Sequence, residues 1–246
     1  MNSRLQSITV VVALTLASAA SSVALERTVE RVGSDESPWR GGDPCTVTYY
    51  NTCVGWVWTW SGWSAGEIIG VQYDPCCAPG ETASLASFAI AAGVTVPVPS
   101  GYGFTGSIDV WTADENDCPT GFTLSSTPYL PVHGFTTIDY TTTGGVEVGG
   151  PFVITFTAGS GGLPPTAGFR TDFDAAGPTG PTACGTCYPT TRESNSYYYG
   201  TTVTAICPGS TLSVICEVEW QWSVAMNCGT TSVTQNSWGA IKGLYR

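Results

Sequence analysis

From Cys45 onward the sequence is a succession of short runs rich in Val, Thr, Tyr, Phe and Trp, broken at close intervals by Gly, Pro and Asn. With 30 Gly and 16 Pro in 246 residues, no window before the carboxyl end sustains a helical apolar stripe. β-Branched and aromatic residues suit a pleated, half-buried surface, whereas Pro interrupts a helix. The runs predict strands at 45–50, 54–60, 68–73, 85–91, 104–112, 135–141, 152–157, 168–172, 197–206 and 217–226. Several alternate with period two. Phe152, Ile154 and Phe156 oppose Val153, Thr155 and Thr157, and Val218, Trp220, Trp222, Val224 and Met226 oppose Glu217, Glu219, Gln221 and Ser223. About ten short strands at near-regular spacing predict an all-β, two-sheet sandwich of jelly-roll type. No internal repeat points to a propeller or solenoid. Two smaller sandwiches divided near 159–165 are the alternative architecture.

The amino terminus is of another kind. Arg4 precedes an apolar run from Ile8 to Ala17, and A-x-A-like stops follow at Ala17-Ser18-Ala19 and Ser22-Val23-Ala24. This is the three-part pattern of a secretory signal peptide, expected to cover 1–24. Its apolar run is about half of the ~20 residues that cross a bilayer, and no later stretch qualifies. The expected product is secreted or held at the cell surface, with no membrane span in the mature chain. Residues 25–42, with Glu26, Arg27, Glu30, Arg31, Asp35, Glu36 and Arg40, read as an exposed lead-in without a core role. The sandwich is expected over 43–228. In the tail, 229–246, Asn236-Ser237 can cap a short helix carrying Trp238, Ile241 and Tyr245, docked on the sandwich or serving as a sorting segment.

All ten cysteines lie beyond the signal: Cys45, Cys53, Cys76, Cys77, Cys118, Cys184, Cys187, Cys207, Cys216 and Cys228. An even set in an exported chain reads as a disulfide framework. Adjacent Cys76 and Cys77 are expected to bond different elements, because neighbours rarely meet disulfide geometry without strain. The Cys184-Gly-Thr-Cys187 spacing suits a redox dithiol or half a zinc site. Its Gly-Pro and Tyr-Pro flanks deny it the helix a dithiol needs, so a structural staple is expected.

Charge excludes whole classes of partner. Eight Lys and Arg stand against nineteen Asp and Glu, a net charge of −11. No basic stripe can neutralise phosphates, so neither nucleic acid nor an anionic membrane is expected as a partner. Charged residues are only 11% of the chain, which leaves a neutral surface suited to an extracellular glycan or a surface protein. No motif calls for a cofactor.

Four patterns carry candidate chemistry. Gly62-Trp63-Ser64-Ala65-Gly66 matches the nucleophile elbow, but a strand is expected after it where an elbow needs a helix, so a Gly-rich hairpin connection is preferred. A triad would also require His133, the only histidine, which reads as a hydrogen-bonded loop residue. Glu217 and Glu219, two apart on one strand, would project two carboxylates from one face, as a glycosidase needs. The fragment Glu217-Val218-Glu219-Trp220-Gln221 resembles the E-x-D-x-E strand of laminarinase-type jelly-roll glycosidases. It departs where Glu219 replaces the Asp and where Gln221 replaces the acid/base, since an amide cannot exchange that proton. A solvated outer face of an amphipathic strand is the preferred reading. Asp114, Glu115 and Asp117 crowd hard oxygen donors into one loop and are secondary candidates for calcium.

The aromatics bear most on function. Trp56, Trp58 and Trp60 fall on one side of a single strand, with Trp63 in the following turn, and Tyr197, Tyr198 and Tyr199 form a second cluster. Flat rings on a rigid sheet stack on sugars, and they equally fill sandwich cores. The first expectation is a non-catalytic module that binds a neutral glycan through Trp56, Trp58, Trp60 and Trp63. The second is a structural subunit of a surface layer or fibre. The third is a glycoside hydrolase using Glu217 and Glu219.

Overall fold

The computed structural model describes residues 26–31, 45–51, 56–94, 106–163 apart from 115 and 117, 167–172, 194–201, 210–211 and 218–230. Its strands are β1 (Glu26–Arg31), β2 (Thr46–Thr48), β3 (Trp56–Ser61), β4 (Ile68–Tyr73), β5 (Glu81–Val94), β6 (Gly106–Ala113), β7 (Pro119–Tyr129), β8 (Gly134–Asp139), β9 (Val146–Val148), β10 (Phe152–Thr157), β11 (Ala167–Asp172), β12 (Ser196–Gly200), β13 (Ser210–Thr211) and β14 (Trp222–Thr230). Among the described residues there is no α-helix. The expected all-β, two-sheet, disulfide-stapled architecture is what the chain adopts. The signal segment, the Cys184/Cys187 loop and the capped tail lie outside the described residues.

One sheet has the order β1-β3-β11-β5-β14-β2, with β8 and β9 also paired to β5. The other has the order β13-β12-β4-β10-β6-β7. Strand β5 is the spine of the larger sheet. Its 14 residues pair β14 along Glu81–Ile90 and β11 at Ala92–Val94, with β8 and β9 along Ala83–Ala91. Period-two burial does the sorting: Phe88, Ile90 and Ala92 join the main core, while Ala89 and Ala91 are small where the opposite face is also covered.

Three differences from the sequence reading have physical causes. The charged lead-in is not wholly outside the fold, because Glu26–Arg31 pairs antiparallel with Trp56–Ser61. It is the first strand in its sheet order. Strand β7, with Pro119 and Pro128 in an uncharged Thr/Ser run, carries little strand signal; it lies at a sheet end, where Pro is tolerated. The Gly62–Gly66 segment is no hairpin, since β3 and β4 belong to different sheets and it is the arch between them. Gly62 and Gly66 take left-handed φ of 82° and 79° there, and Ser64 is exposed in the turn.

The core lies between the sheets. The smaller sheet contributes Ile69, Val71, Tyr73, Ile108, Val110, Phe152, Ile154 and Phe156; the larger contributes Trp60, Phe88, Phe169, Trp222 and Val224. Phe169 is central. Its ring centroid is 4.5 Å from Phe156 across the sheets, 6.1 Å from Trp222 and 6.4 Å from Trp220. Beside it Gly168 is required, because a Cβ there would meet the Trp60 carbonyl oxygen at 2.0 Å. Two described disulfides staple the far end of the larger sheet. Cys45 bonds Cys76 and Cys77 bonds Cys228, so the vicinal pair does tie different elements. Replacing Phe169 by Ala removes a wholly buried ring from this junction. It should lower unfolding free energy by about 4 kcal/mol, read by denaturant unfolding of the oxidised protein.

Candidate functional site

Trp60 and Trp63 of the tryptophan strip belong to the core. Trp60 is 6% exposed and its indole N–H donates to Thr171 Oγ1 at 2.9 Å. Trp63 is 2% exposed, donates to the Trp60 carbonyl at 2.9 Å, and tilts against Trp220 at 5.9 Å. Trp58 is half-buried against the same core, and the Trp56 side chain lies outside the described residues. Trp60 and Trp63 therefore cannot stack on a ligand. The cause is that β3 is buried on both faces, Val57 and Thr59 being as covered as the tryptophans.

The acidic strand face is buried too. Glu219 is 1% exposed, and so are its neighbours Gln221 and Ser223 to within 2%. Both Glu219 carboxylate oxygens are engaged: Oε1 accepts the Asn195 N–H at 2.8 Å and Oε2 accepts the Ser196 hydroxyl at 2.5 Å. Asp172, wholly buried, accepts the Glu219 N–H on one oxygen at 2.9 Å and the Asn51 N–H on the other at 3.1 Å. Ser196 Oγ in turn accepts the Trp220 N–H at 2.9 Å. This is a polar seam joining β11, β12 and the segment after β2, not a solvated face and not a pair of carboxylates open to substrate. Glu217 lies outside the described residues.

The other sequence candidates also have local duties. Asp114 Oδ1 accepts the Asn116 and Cys118 N–H groups at 2.8 and 3.0 Å, closing the turn, while Glu115 and Asp117 lie outside the described residues. His133 is exposed; its Nδ1 accepts the Val94 N–H at 3.3 Å and its Nε2 lies 3.3 Å from the Arg170 guanidinium. It is a hydrogen-bonded loop residue, as expected.

The second face of the smaller sheet is built by alternation and is largely covered: Val153 and Thr155 are wholly buried, Asp109 and Gln72 are buried, and only the Trp111 and Tyr197 rings are half-buried. On β6, Ile108 and Val110 enter the core, which turns Ser107, Asp109 and Trp111 to the opposite face, where Asp109 is buried and the other two are half-buried. On β10, Val153 and Thr155 face the same way, and on β4 so do Ile68, Gly70 and Gln72. Register aligns them in rows across the strands. Tyr197, Gly70, Thr155 and Asp109 are successive partners, and Gln72, Val153 and Trp111 form the next row.

The aromatic rings on this face are held in place. Trp111 donates its indole N–H to Thr155 Oγ1 at 2.8 Å and packs half-buried against the Ile68, Val153 and Tyr199 cluster. Tyr197, also half-buried, lies 6.1 Å from Tyr199 at 45°. Gly70 makes room for this, since a Cβ there would meet Tyr199 Cε2 and Thr155 Cγ2 at 3.0 Å. Asp109, which accepts the Ser107 hydroxyl at 2.7 Å, and Gln72 lie buried beside the rings. The strip runs across three interstrand spacings, roughly 14 Å. The alternation of Asp109 and Trp111 against Ile108 and Val110 was the sequence signal for it.

Tyr198 points the other way, into the arch. Its hydroxyl donates to Glu67 Oε1 at 2.6 Å, and the second Glu67 oxygen accepts the Ser64 N–H at 2.5 Å. Burial, with the Glu67 carboxylate beside it, pushes the Tyr198 phenol up to about 12. Burial also raises Tyr129 to about 12.

No protein-family model and no curated protein matches the sequence. Among solved structures, the cysteine protease and lectin-like domains of Cwp84, a surface layer associated protein of Clostridium difficile, superpose with a TM-score of 0.41 at 9% identity, over 76% of this chain. This chain spans 37% of that structure's length. A similarity of this size assigns neither family nor function.

Two outcomes follow. Glu219→Ala leaves the half-buried Asn195 N–H and the buried Ser196 hydroxyl without their acceptor and should cost about 3 kcal/mol, measured by equilibrium unfolding. The tyrosine shifts set an alkaline limit. An unfolded chain loses these protons near pH 10 and the folded one near 12, so the unfolded state binds fewer protons between those values. Stability should hold up to about pH 10 and fall from there towards 12, while tyrosinate absorbance of the folded protein lags behind that of the denatured chain.

Proposed function

We propose that this chain is an extracellular, non-catalytic β-sandwich that binds a neutral glycan across the outer face of its smaller sheet. The observation that carries this reading is the row-by-row alignment of Trp111, Thr155, Gly70 and Tyr197, with the Trp111 ring fixed by its own hydrogen bond. A ring pinned before binding loses little further freedom when a sugar stacks on it. The partly uncovered rings of Trp111 and Tyr197 make the contact, since Asp109 and Gln72 beside them are buried. The low charge of the chain favours an uncharged ligand over an acidic one. Export, a signal peptide at 1–24 and a surface or secreted location belong to the same proposal.

Depletion of the oxidised protein by a panel of insoluble polysaccharides tests it. Selective depletion by one glycan is expected, with binding weakened at least about tenfold in Trp111→Ala, while Trp58→Ala changes it far less. Equal binding by wild type and Trp111→Ala, or no depletion by any glycan, would reject the reading.

The structural-subunit reading keeps one observation in its favour. Strand β7 is an 11-residue terminal strand of the smaller sheet without a charged residue, and Leu124 on it is 38% exposed. Long uncharged edges invite strand addition. Sedimentation that rises with concentration and is suppressed by Leu124→Lys would favour that reading over glycan binding.

A further inference from the structure

The two described disulfides lie against each other. Cys45 Sγ is 3.6 Å from Cys77 Sγ, although each is bonded to another partner, Cys76 and Cys228 respectively. The sulfurs of Cys45, Cys77 and Cys228 all lie within 4.8 Å of one another. Vicinal Cys76 and Cys77 bring this about, because one backbone step presents both bonds to the same end of the larger sheet. Exposure is graded along the chain of sulfurs: Cys45 is 2% exposed, Cys77 and Cys228 are half-buried, and Cys76 is exposed.

We propose that this cluster is a thiol-modification site, which takes up an external thiol at Cys76 and delivers a free thiol at Cys228. Exchange begins where a thiolate can reach a sulfur, and access selects Cys76 over Cys45. The attacking thiolate forms a bond to Cys76 Sγ, the Cys45–Cys76 bond breaks, and the electron pair leaves on Cys45 Sγ. That thiolate sits in the core, where it is poorly hydrated; return to Cys76 only expels the external thiol, and the next sulfur within reach is Cys77 Sγ at 3.6 Å. A Cys45–Cys77 bond forms, the Cys77–Cys228 bond breaks, and the pair passes to Cys228, which takes a proton from water. One external thiolate is consumed and one protein thiol appears. The number of disulfide bonds is unchanged, so no oxidant or reductant is required. The sheet end stays crosslinked, because Cys45 on the β2 side remains joined to the 76–77 segment.

Net charge sets which thiols react. The chain carries −11, so a cationic thiol is drawn to it and an anionic one is repelled. Cysteamine should react at least about threefold faster than glutathione at low ionic strength, and the two should converge near 1 M salt.

The test exposes the fully oxidised protein to one equivalent of cysteamine, traps free thiols with N-ethylmaleimide, and maps the products by peptide mass spectrometry. Cysteamine is expected on Cys76, maleimide on Cys228, and a crosslinked peptide joining Cys45 to Cys77. Maleimide on Cys45 with Cys77–Cys228 intact would overturn the relay. Absence of a Cys76 adduct while other disulfides react would overturn the assigned point of attack. In Cys77→Ser/Cys228→Ser the relay partner is gone and the maleimide should move to Cys45; failure to label Cys45 there would overturn the route. The wild-type map decides the matter alone if that variant does not fold.

Discussion

Ring packing between the sheets governs most of what this molecule can do. Phe169 reaches Phe156 in the opposite sheet while Trp63, Trp220 and Trp222 close around it, and all five are essentially removed from water. Large flat side chains at this density hold the two sheets in one relative position, because no smaller rearrangement preserves their contacts. The indole N–H groups of Trp60 and Trp63 are then satisfied internally, by Thr171 and by the Trp60 carbonyl. Once the tryptophans serve this junction they are unavailable to a ligand, and any recognition surface has to be assembled elsewhere.

A second constraint acts at right angles to the first. The Asp172 and Glu219 carboxylates are buried, and each is hydrogen-bonded to groups from other parts of the fold: Asn51, Asn195 and Ser196. Burying carboxylates costs several kcal/mol each unless donors replace water. The donors present are mostly backbone N–H groups at strand ends, so the seam aligns β11 and β12 as well as filling space. Burial, with the charge of Glu219 contributing, also raises the Tyr73 phenol in the core. Apolar packing thus sets how close the sheets lie, and the seam sets how their ends line up.

With the core and the seam assigned, the outer face of the smaller sheet stands apart. Its Trp111 and Tyr197 rings are anchored yet partly uncovered, among the buried side chains of Thr155, Gln72 and Asp109. Gly70 is decisive there, since its missing side chain lets Tyr199 lie on the strand and support Tyr197. The disulfide end of the molecule is chemically distinct from that face. Its sulfur cluster depends on the vicinal cysteines and on the sheet end, and on none of the residues of the aromatic strip.

Much of the architecture was legible residue by residue. Strands 68–73 and 152–157 have the bounds that alternation predicted, and Val218, Trp220, Trp222, Val224 and Met226 are the buried set their spacing implied. Side-chain periodicity is a local property, and backbone geometry converts it directly into faces. What alternation could not say is whether the second face of a strand meets water. For β3 and for 218–223 both faces are covered, so polar Thr59, Glu219, Gln221 and Ser223 are inside although they look like solvent positions. Likewise the sequence shows that Cys76 and Cys77 must part company, but not that their bonds would come to rest 3.6 Å apart. The sequence by itself determined most of the strands, their inward faces and the disulfide chemistry, because each depends on neighbours along the chain. Only the tertiary structure decided which aromatics are wholly buried, where the carboxylates find donors and which sulfurs touch, because those depend on segments tens to more than a hundred residues apart.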